Sequence, residues 1–423
     1  MGTVLSRTIK WETILMFFNN APAKQLNNYG EESVIRRKLL TSLLAGGGAL
    51  LLAACGGGGG ADPESAANRG KGGKGASAPA DGASTPAAAS TPAGASAPAA
   101  ASTPATASTP AADNAPAAAS EPPATGVLLD TSFGVKGDGT TNDRAALQAA
   151  IDGSIGQILL ITGTSRIDAT GLDLRTNSHV RFAPGASIKL LPHNAGTYEM
   201  IRLADVDNVT LESPNLDGSK ELNSATTGQW GMGISINGAT NCTITSPTTI
   251  NTWGDGIYVN NSDRKTGSYS TNITVSDHHA SGCRRQGVSI ISGKGIVFNN
   301  PLWENIGGTE PGCGLDIEPN DNTAVLENIQ IVNPTTNNCK GGGILIYLGF
   351  FAGPVAKTVS IAISGHTDLT SPGGSFNVQG LKLNGNVVNG TITSANPVWK
   401  QPMSLEDWDK AGPTVTVTNP KIG

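Results

Sequence analysis

Val209-Thr210-Leu211, Cys242-Thr243-Ile244, Ile273-Thr274-Val275, Ile296-Val297-Phe298 and Ile329-Gln330-Ile331 are five short stretches of one chain. Each reads as a β-strand of period two, apolar at both ends and mostly polar between. An Asn stands just before four of them, as Asn208, Asn241, Asn272 and Asn328. Three residues beyond each strand comes a turn residue: Pro214, Pro247, His278, Pro301 and Pro334. Proline cannot donate to a ladder, so this column marks where each strand bends out of its sheet.

A second set follows in step: Gly233-Ile234-Ser235-Ile236, Gly256-Ile257-Tyr258-Val259, Gly287-Val288-Ser289-Ile290, Gly314-Leu315-Asp316-Ile317 and Gly343-Ile344-Leu345-Ile346. Gly380-Leu381-Lys382-Leu383 is a weaker sixth member. The period wanders between roughly 23 and 37 residues, as in a solenoid with variable loops on one side. Parallel strands in succession without intervening helices predict a β-solenoid. Ile257, Val288, Leu315 and Ile344 then stack as one interior ladder, and Val259, Ile290, Ile317 and Ile346 as another. Alternation throws Tyr258, Ser289, Asp316 and Leu345 outward.

The whole chain has 423 residues, of which 14% are charged and 4% aromatic, with 55 Gly and 25 Pro. Long amphipathic helices need charge on their solvent face, so a helical bundle is excluded. A net charge of −5 offers no electrostatic footprint for nucleic acid.

Three segments follow. Residues 1–54 read as an export leader: Arg36-Arg37-Lys38 precedes an apolar run that ends in Leu52-Ala53-Ala54-Cys55. That run is too short and too glycine-rich for a comfortable membrane span. Residues 1–33 are long for a signal's n-region, which points to a true start downstream, at Met16 or Val34. Paired arginines allow the twin-arginine route. Leu-Ala-Ala-Cys resembles the bacterial lipobox, which implies that Cys55 is the lipidated first residue of an exported form. Residues 55–126 are low-complexity Gly, Ala, Ser, Thr and Pro, a tether that cannot bury a core. Residues 127–423 carry the repeats and form the third segment. The leader predicts a lipoprotein of the outer membrane or cell surface, the periplasmic side included.

The opening of the repeat segment, Phe133 to Ile151, contains Gly137-Asp138-Gly139-Thr140-Thr141-Asn142-Asp143 followed by Arg144-Ala145-Ala146-Leu147-Gln148-Ala149-Ala150-Ile151. Asn142 or Asp143 can N-cap a helix whose Ala146, Leu147, Ala150 and Ile151 form one apolar stripe. This stretch closely resembles the start of proteins of the pectate-lyase-like superfamily. The resemblance implies an all-β fold, a right-handed parallel β-helix with a short N-terminal capping helix, over 127–423.

In a β-helix the interior is filled by ladders, so chemistry belongs on an outward face. One concentration of polar residues stands there: Asp255 before Gly256; Arg284, Arg285 and Gln286 before Gly287; and Asp316 with Glu318 on the next rung. Asp316 and Glu318 are two apart, so both face one way, with Cα atoms ~6.5 Å apart; Asp255 lies two rungs off, ~10 Å away. Two anions that close repel unless a cation or a proton intervenes. Three carboxylates and a guanidinium form a glycosidase-like constellation.

Polygalacturonases of the superfamily carry Asn-Thr-Asp-Gly, Asp-Asp, Gly-His-Gly and Arg-x-Lys rungs. Asn251-Thr252-Trp253-Gly254-Asp255-Gly256 resembles the first, and Gln286-Gly287-Val288 resembles the third with Gln in the His place. Asp316-Ile317-Glu318 stands where Arg-x-Lys would be, and the Asp-Asp rung has no counterpart. Only Asp255 matches, and two anions in place of two cations argue against a uronate at that subsite.

The expected catalytic set is Asp255, Asp316, Glu318 and Arg285, with Arg284, Gln286, Tyr258 and Tyr347 touching a polysaccharide. Tyr258, Tyr347 and Trp303 are candidate sugar platforms. A glycoside hydrolase without cofactor is expected; the Asp255–Asp316 span suits inversion, whose carboxyls stand ~6.5–9.5 Å apart. The alternatives are a polysaccharide lyase using Ca²⁺, with Arg285 or Tyr258 as base, and a non-catalytic glycan-binding or adhesive β-helix. Each residue also has a plainer role: Asp255 as acceptor of turn amides, Arg285 as counter-ion, His278 and His279 as solvated loop. Cys242 falls in an interior ladder; Cys283, Cys313 and Cys339 lie on successive rungs with a disulfide left open, and their spacing resembles no zinc site.

Overall fold

A computed structural model describes residues 126–423; the leader, Cys55 and the tether up to 125 lie outside the described residues. The described chain is a right-handed parallel β-helix of three sheets, two of eleven strands and one of nine. The five strands that open the sequence argument all lie in the first sheet. There Leu211, Ile244, Val275, Phe298, Ile331 and Ile363 stack in register as one buried column. At ~1.5–3 kcal/mol for each buried apolar side chain, such columns supply most of the fold's stability.

The turn columns explain themselves in the same terms. Asn208, Asn241, Asn272 and Asn328 all have φ between 52 and 59°, a left-handed conformation that Asn tolerates better than most residues. Their amides stack: Asn272 Nδ2 donates to Asn241 Oδ1 at 3.1 Å, and Asn208 Nδ2 to Asn177 Oδ1 at 2.9 Å. The proline column joins the first sheet to the second. Each carbonyl there accepts the first amide of the next rung's second-sheet strand, as in Thr248 N–H to Pro214 O at 2.7 Å.

The third sheet carries the second strand set. Ile257↔Val288↔Leu315↔Ile344 and Val259↔Ile290↔Ile317↔Ile346 are the observed interior ladders. The glycine before each strand has a packing reason: a Cβ on Gly256 would stand 2.6 Å from Gly287 O, and one on Gly287 2.5 Å from Gly314 O. The sixth rung differs from expectation. It is Phe376–Gln379, with Ile344 paired to Phe376, while Gly380 (φ 86°) turns the chain away. Ser375 takes the glycine position on this rung, its carbonyl accepting the Ile344 N–H, and the missing glycine hides the repeat.

The capping helix spans Arg144–Gly153 and buries Leu147, Ala150 and Ile151. Asn142 Oδ1 accepts the Arg144 amide at 3.2 Å. Asp143 makes no side-chain cap; its carboxylate instead accepts the amides of Lys136 and Gly137, at 2.8 and 2.9 Å, and pins the preceding turn. No helix among the described residues is long and apolar enough to cross a membrane.

Two expectations are corrected in the corner between the first and second sheets. His278 is buried and not solvated: its Nε2 pairs with Thr249 Oγ1 at 2.8 Å, and its Nδ1 accepts from Trp303 Nε1 at 3.2 Å. Trp303 is therefore interior and no sugar platform. The arrangement recurs at His366, between Thr336 Oγ1 at 2.9 Å and Trp399 Nε1 at 2.9 Å. In both cases Trp comes from the rung above and Thr from the rung below, so a polar bridge spans three turns. A proline at either position would leave the indole N–H buried without its acceptor. His279 is half-buried and meets Glu304 at 3.1 Å.

Candidate functional site

The glycine turns set Asp255, Arg285 and Gln286 at the lip of the third sheet, beside the outward residues Tyr258, Ser289 and Asp316, which follow one another in register. Arg285 Nη1 donates to Asp255 Oδ2 at 2.9 Å, and Ser289 Oγ donates to the same oxygen at 2.8 Å. Gln286 Nε2 donates to Asp316 Oδ2 at 2.9 Å, while Gln286 Oε1 accepts the Cys313 amide at 2.7 Å. That second bond fixes which way the Gln286 amide faces, so the donor presented to Asp316 is certain in kind. Pairing of Ile317 with Ile346 sets Glu318 beside Tyr347 on the neighbouring rung.

Electrostatics bind these groups into one unit. Burial works against the Arg285 charge, but the fields of Asp255, Asp316 and Glu318 outweigh it and hold the guanidinium above its ordinary pKa. Burial pushes the Asp255 carboxyl upward, against Arg285 and the Ser289 hydroxyl. Burial also raises the Tyr258 hydroxyl, which accepts from Asn260 Nδ2 at 3.2 Å.

The structure brings together Asp255, Arg285, Gln286, Asp316, Glu318 and Tyr258, but not on an open face. Asp255 and Asp316 are fully buried and Glu318 is 4% exposed, so the outward direction of these strands does not mean exposure. Gln286 is likewise buried, with its side-chain amide committed to Asp316 and to the Cys313 amide. Arg284 turns the other way. Its guanidinium lies 4.0 Å over the Trp253 ring and donates to Gly228 O at 3.2 Å. Tyr258 and Tyr347 are partly exposed at the rim, Tyr347 against Phe350 with ring centroids 5.8 Å apart.

A Ca²⁺ ion would need several of these oxygens to itself. The cation they surround is Arg285, and among the described residues no group of three or more His, Cys, Asp or Glu is placed to hold a metal. The donor set therefore does not fit Ca²⁺. The four described cysteines are buried and none is in a disulfide, so the bridge left open by the sequence is not formed.

Sequence reasoning missed a second polar group on the same outer face. Asp173, Arg202 and Ser235 occupy one column on successive strands below Tyr258. Arg202 Nε donates to Asp173 Oδ1 at 2.6 Å and lies 3.8 Å from Glu199 Oε2. These side chains are 29%, 20% and 28% exposed for Asp173, Arg202 and Glu199, so solvent reaches them. On the strand Thr197–Ala204 the position opposite Gly233 is Met200 and not glycine, so the glycine-led pattern does not mark it.

No protein-family model matches the sequence, and no curated protein sequence is significantly similar to it. Solved structures with similar backbones are parallel β-helix proteins. The A-module of the Azotobacter vinelandii mannuronan C-5 epimerase AlgE4 is 17% identical, covering 66% of this chain and 76% of its own, with a TM-score of 0.43. The N-terminal fragment of bacteriophage phi29 gene product 12 is 17% identical over 64% of this chain and 47% of its own, at 0.48. The Streptococcus pneumoniae surface protein and adhesin PfbA is 12% identical over 70% and 97%, at 0.42.

Proposed function

We propose that this chain is a carbohydrate-active enzyme, a glycoside hydrolase acting on a polysaccharide through Asp316 and Glu318. The observation that carries this reading is the buried guanidinium of Arg285, hydrogen-bonded to Asp255 and within the fields of Asp316 and Glu318. General acid–base work needs two carboxyls held in fixed and unlike surroundings. Asp316 is held by Gln286 with no exposure, whereas Glu318 keeps 4% exposure beside the rung of Tyr347. In the reaction Glu318 gives its proton to the leaving oxygen as the glycosidic bond breaks, and Asp316 takes a proton from the attacking water. Asp255 and Arg285 act through them, as positioning residues.

Lyase chemistry has less support. Tyr258 is pushed away from ionisation by burial and Arg285 is held charged, so neither is a base near neutral pH. The depth of Asp255 and Asp316 favours a second reading, a glycan-binding or adhesive β-helix in which the cluster only braces the sheet. The experiment is a polysaccharide panel scored for new reducing ends and for ultraviolet-absorbing unsaturated products. Reducing ends without unsaturation support the hydrolase; unsaturated products point to the lyase; binding without turnover points to the adhesin.

Export and anchoring through Cys55 belong to the same proposal, with the tether holding the domain off an outer membrane or cell surface. Cys55→Ser should move the protein into the soluble fraction; unchanged membrane partition defeats the anchor.

A further inference from the structure

The lower half of the same face holds a group of side chains that the proposed hydrolase pair does not use. Arg202 and Ser235 are register neighbours, and so are Ala204 and Asn237, so Ser235 and Asn237 project to the same side from one strand. Asn237 Nδ2 donates to Asp263 Oδ2 at 3.2 Å, yet its Oδ1 is buried and accepts nothing. Ser235 Oγ lies beside the Glu199 carboxyl but has no partner in good hydrogen-bonding geometry. Both residues are more than nine-tenths buried. A buried polar atom left unpaired costs ~1–3 kcal/mol, which a bound group can recover.

The chemistry of the missing partner can be read from what is left unsatisfied. Asn237 Oδ1 needs a donor, Ser235 Oγ can give or take one hydrogen, and Glu199 can do either according to its protonation. Arg202 is already committed, through Nε to Asp173 and through Nη1 to Thr170 O at 2.7 Å. A carboxylate ligand would face Asp173, Glu199 and Asp263, with Arg202 occupied and Arg264 already acting on Asp173 and Asp263. Hydroxyl groups, each both donor and acceptor, fit every open position.

We propose that Glu199, Ser235 and Asn237, braced by Arg202 and Asp173, form a binding site for a neutral, polyhydroxylated sugar ring. The site rests on the carbohydrate reading above and extends it along the face. From Arg202 to Asp316 is four strand spacings, ~19 Å, a span that a short oligosaccharide covers. Burial raises the Glu199 carboxyl while the Arg202 hydrogen bond lowers Asp173, so the two carboxyls flanking Arg202 differ in protonation tendency.

The test is calorimetric titration of the full chain with cellotriose, xylotriose, mannotriose and trigalacturonate, trimers too short to reach both halves of the face. At least one neutral trimer is expected to bind with a Kd of ~1 mM or tighter, and Asn237→Ala and Glu199→Gln should each weaken it about tenfold. Glu199→Gln is isosteric and partly exposed, so it keeps the test open if Asn237→Ala fails to fold. Asp316→Asn should abolish turnover yet leave trimer binding intact, which separates failure here from failure of the hydrolase reading. Tighter binding of trigalacturonate than of every neutral trimer, wild-type affinity in Glu199→Gln, or no trimer binding at all overturns the site.

Discussion

Arg285 donates to Asp255 at 2.9 Å across 30 residues of sequence, and both partners are buried at the lip of the third sheet. Neither ion could stay there alone, because an unpaired buried charge costs several kcal/mol. Arg285→Met should therefore destabilise the fold by ~3–5 kcal/mol, and Asp255→Asn combined with it should cost less than the sum of the two. Urea unfolding of the two single variants and the double variant reads this directly. Additive losses would show that the pair is not coupled.

Asp316 and Glu318 should separate activity from stability. Glu318→Gln is expected to lower kcat at least ~100-fold with the melting temperature nearly unchanged, since Gln keeps the size and shape of the side chain. Gln286→Ala should also lower kcat, through loss of the Asp316 hydrogen bond, and should shift the acid limb of the pH profile. A cluster that only braces the sheet would show melting losses and no such pH shift.

The two buried histidines make stability pH-dependent. Burial pushes His278 and His366 from the ordinary 6.5 down to about 3. Their unfolded forms bind protons in that window and their folded forms do not, so stability falls as pH drops from about 6.5 towards 3. Each contributes a slope of ~1.4 kcal/mol per pH unit where the difference is a full proton. Asp255, with its folded pKa raised, acts in the opposite sense above the ordinary carboxylate range. Denaturant melts at several pH values should give a shallower slope for His278→Asn than for wild type; an equal slope refutes the neutral buried imidazole.

The glycine column should be intolerant. Gly287→Ala places a Cβ against Gly314 O and the Trp303 ring, at 2.5 and 3.0 Å, so a rung spacing must open. A loss of ~1–3 kcal/mol is expected, measured by thermal melting.

Burial holds Cys283 up to about 11, and Cys242 and Cys339 up to about 12. None of the four described thiols should react with a disulfide reagent at neutral pH in the native Cys55→Ser protein, and all four should react after unfolding. Fast labelling of any in the native state would contradict the packing.

Ladders, turn columns and cap were legible in the chain itself because each rung repeats a local pattern: alternation, an Asn able to take positive φ, a proline at the bend, a glycine under the next carbonyl. Alternation also named the residues that leave the interior, so Asp316, Glu318, Asp255 and Arg285 could be picked out and were found together. Depth could not be read this way. Whether an outward residue meets water depends on what the neighbouring rungs and excursions lay over it, and only assembly of several rungs buries Asp316 while leaving Glu199 and Arg202 partly open. His278 and Trp303 turn inward for a similar reason. Each meets its partner on a different rung, 25 residues or more along the chain, and a hydrogen bond between rungs leaves no trace in either rung's own pattern.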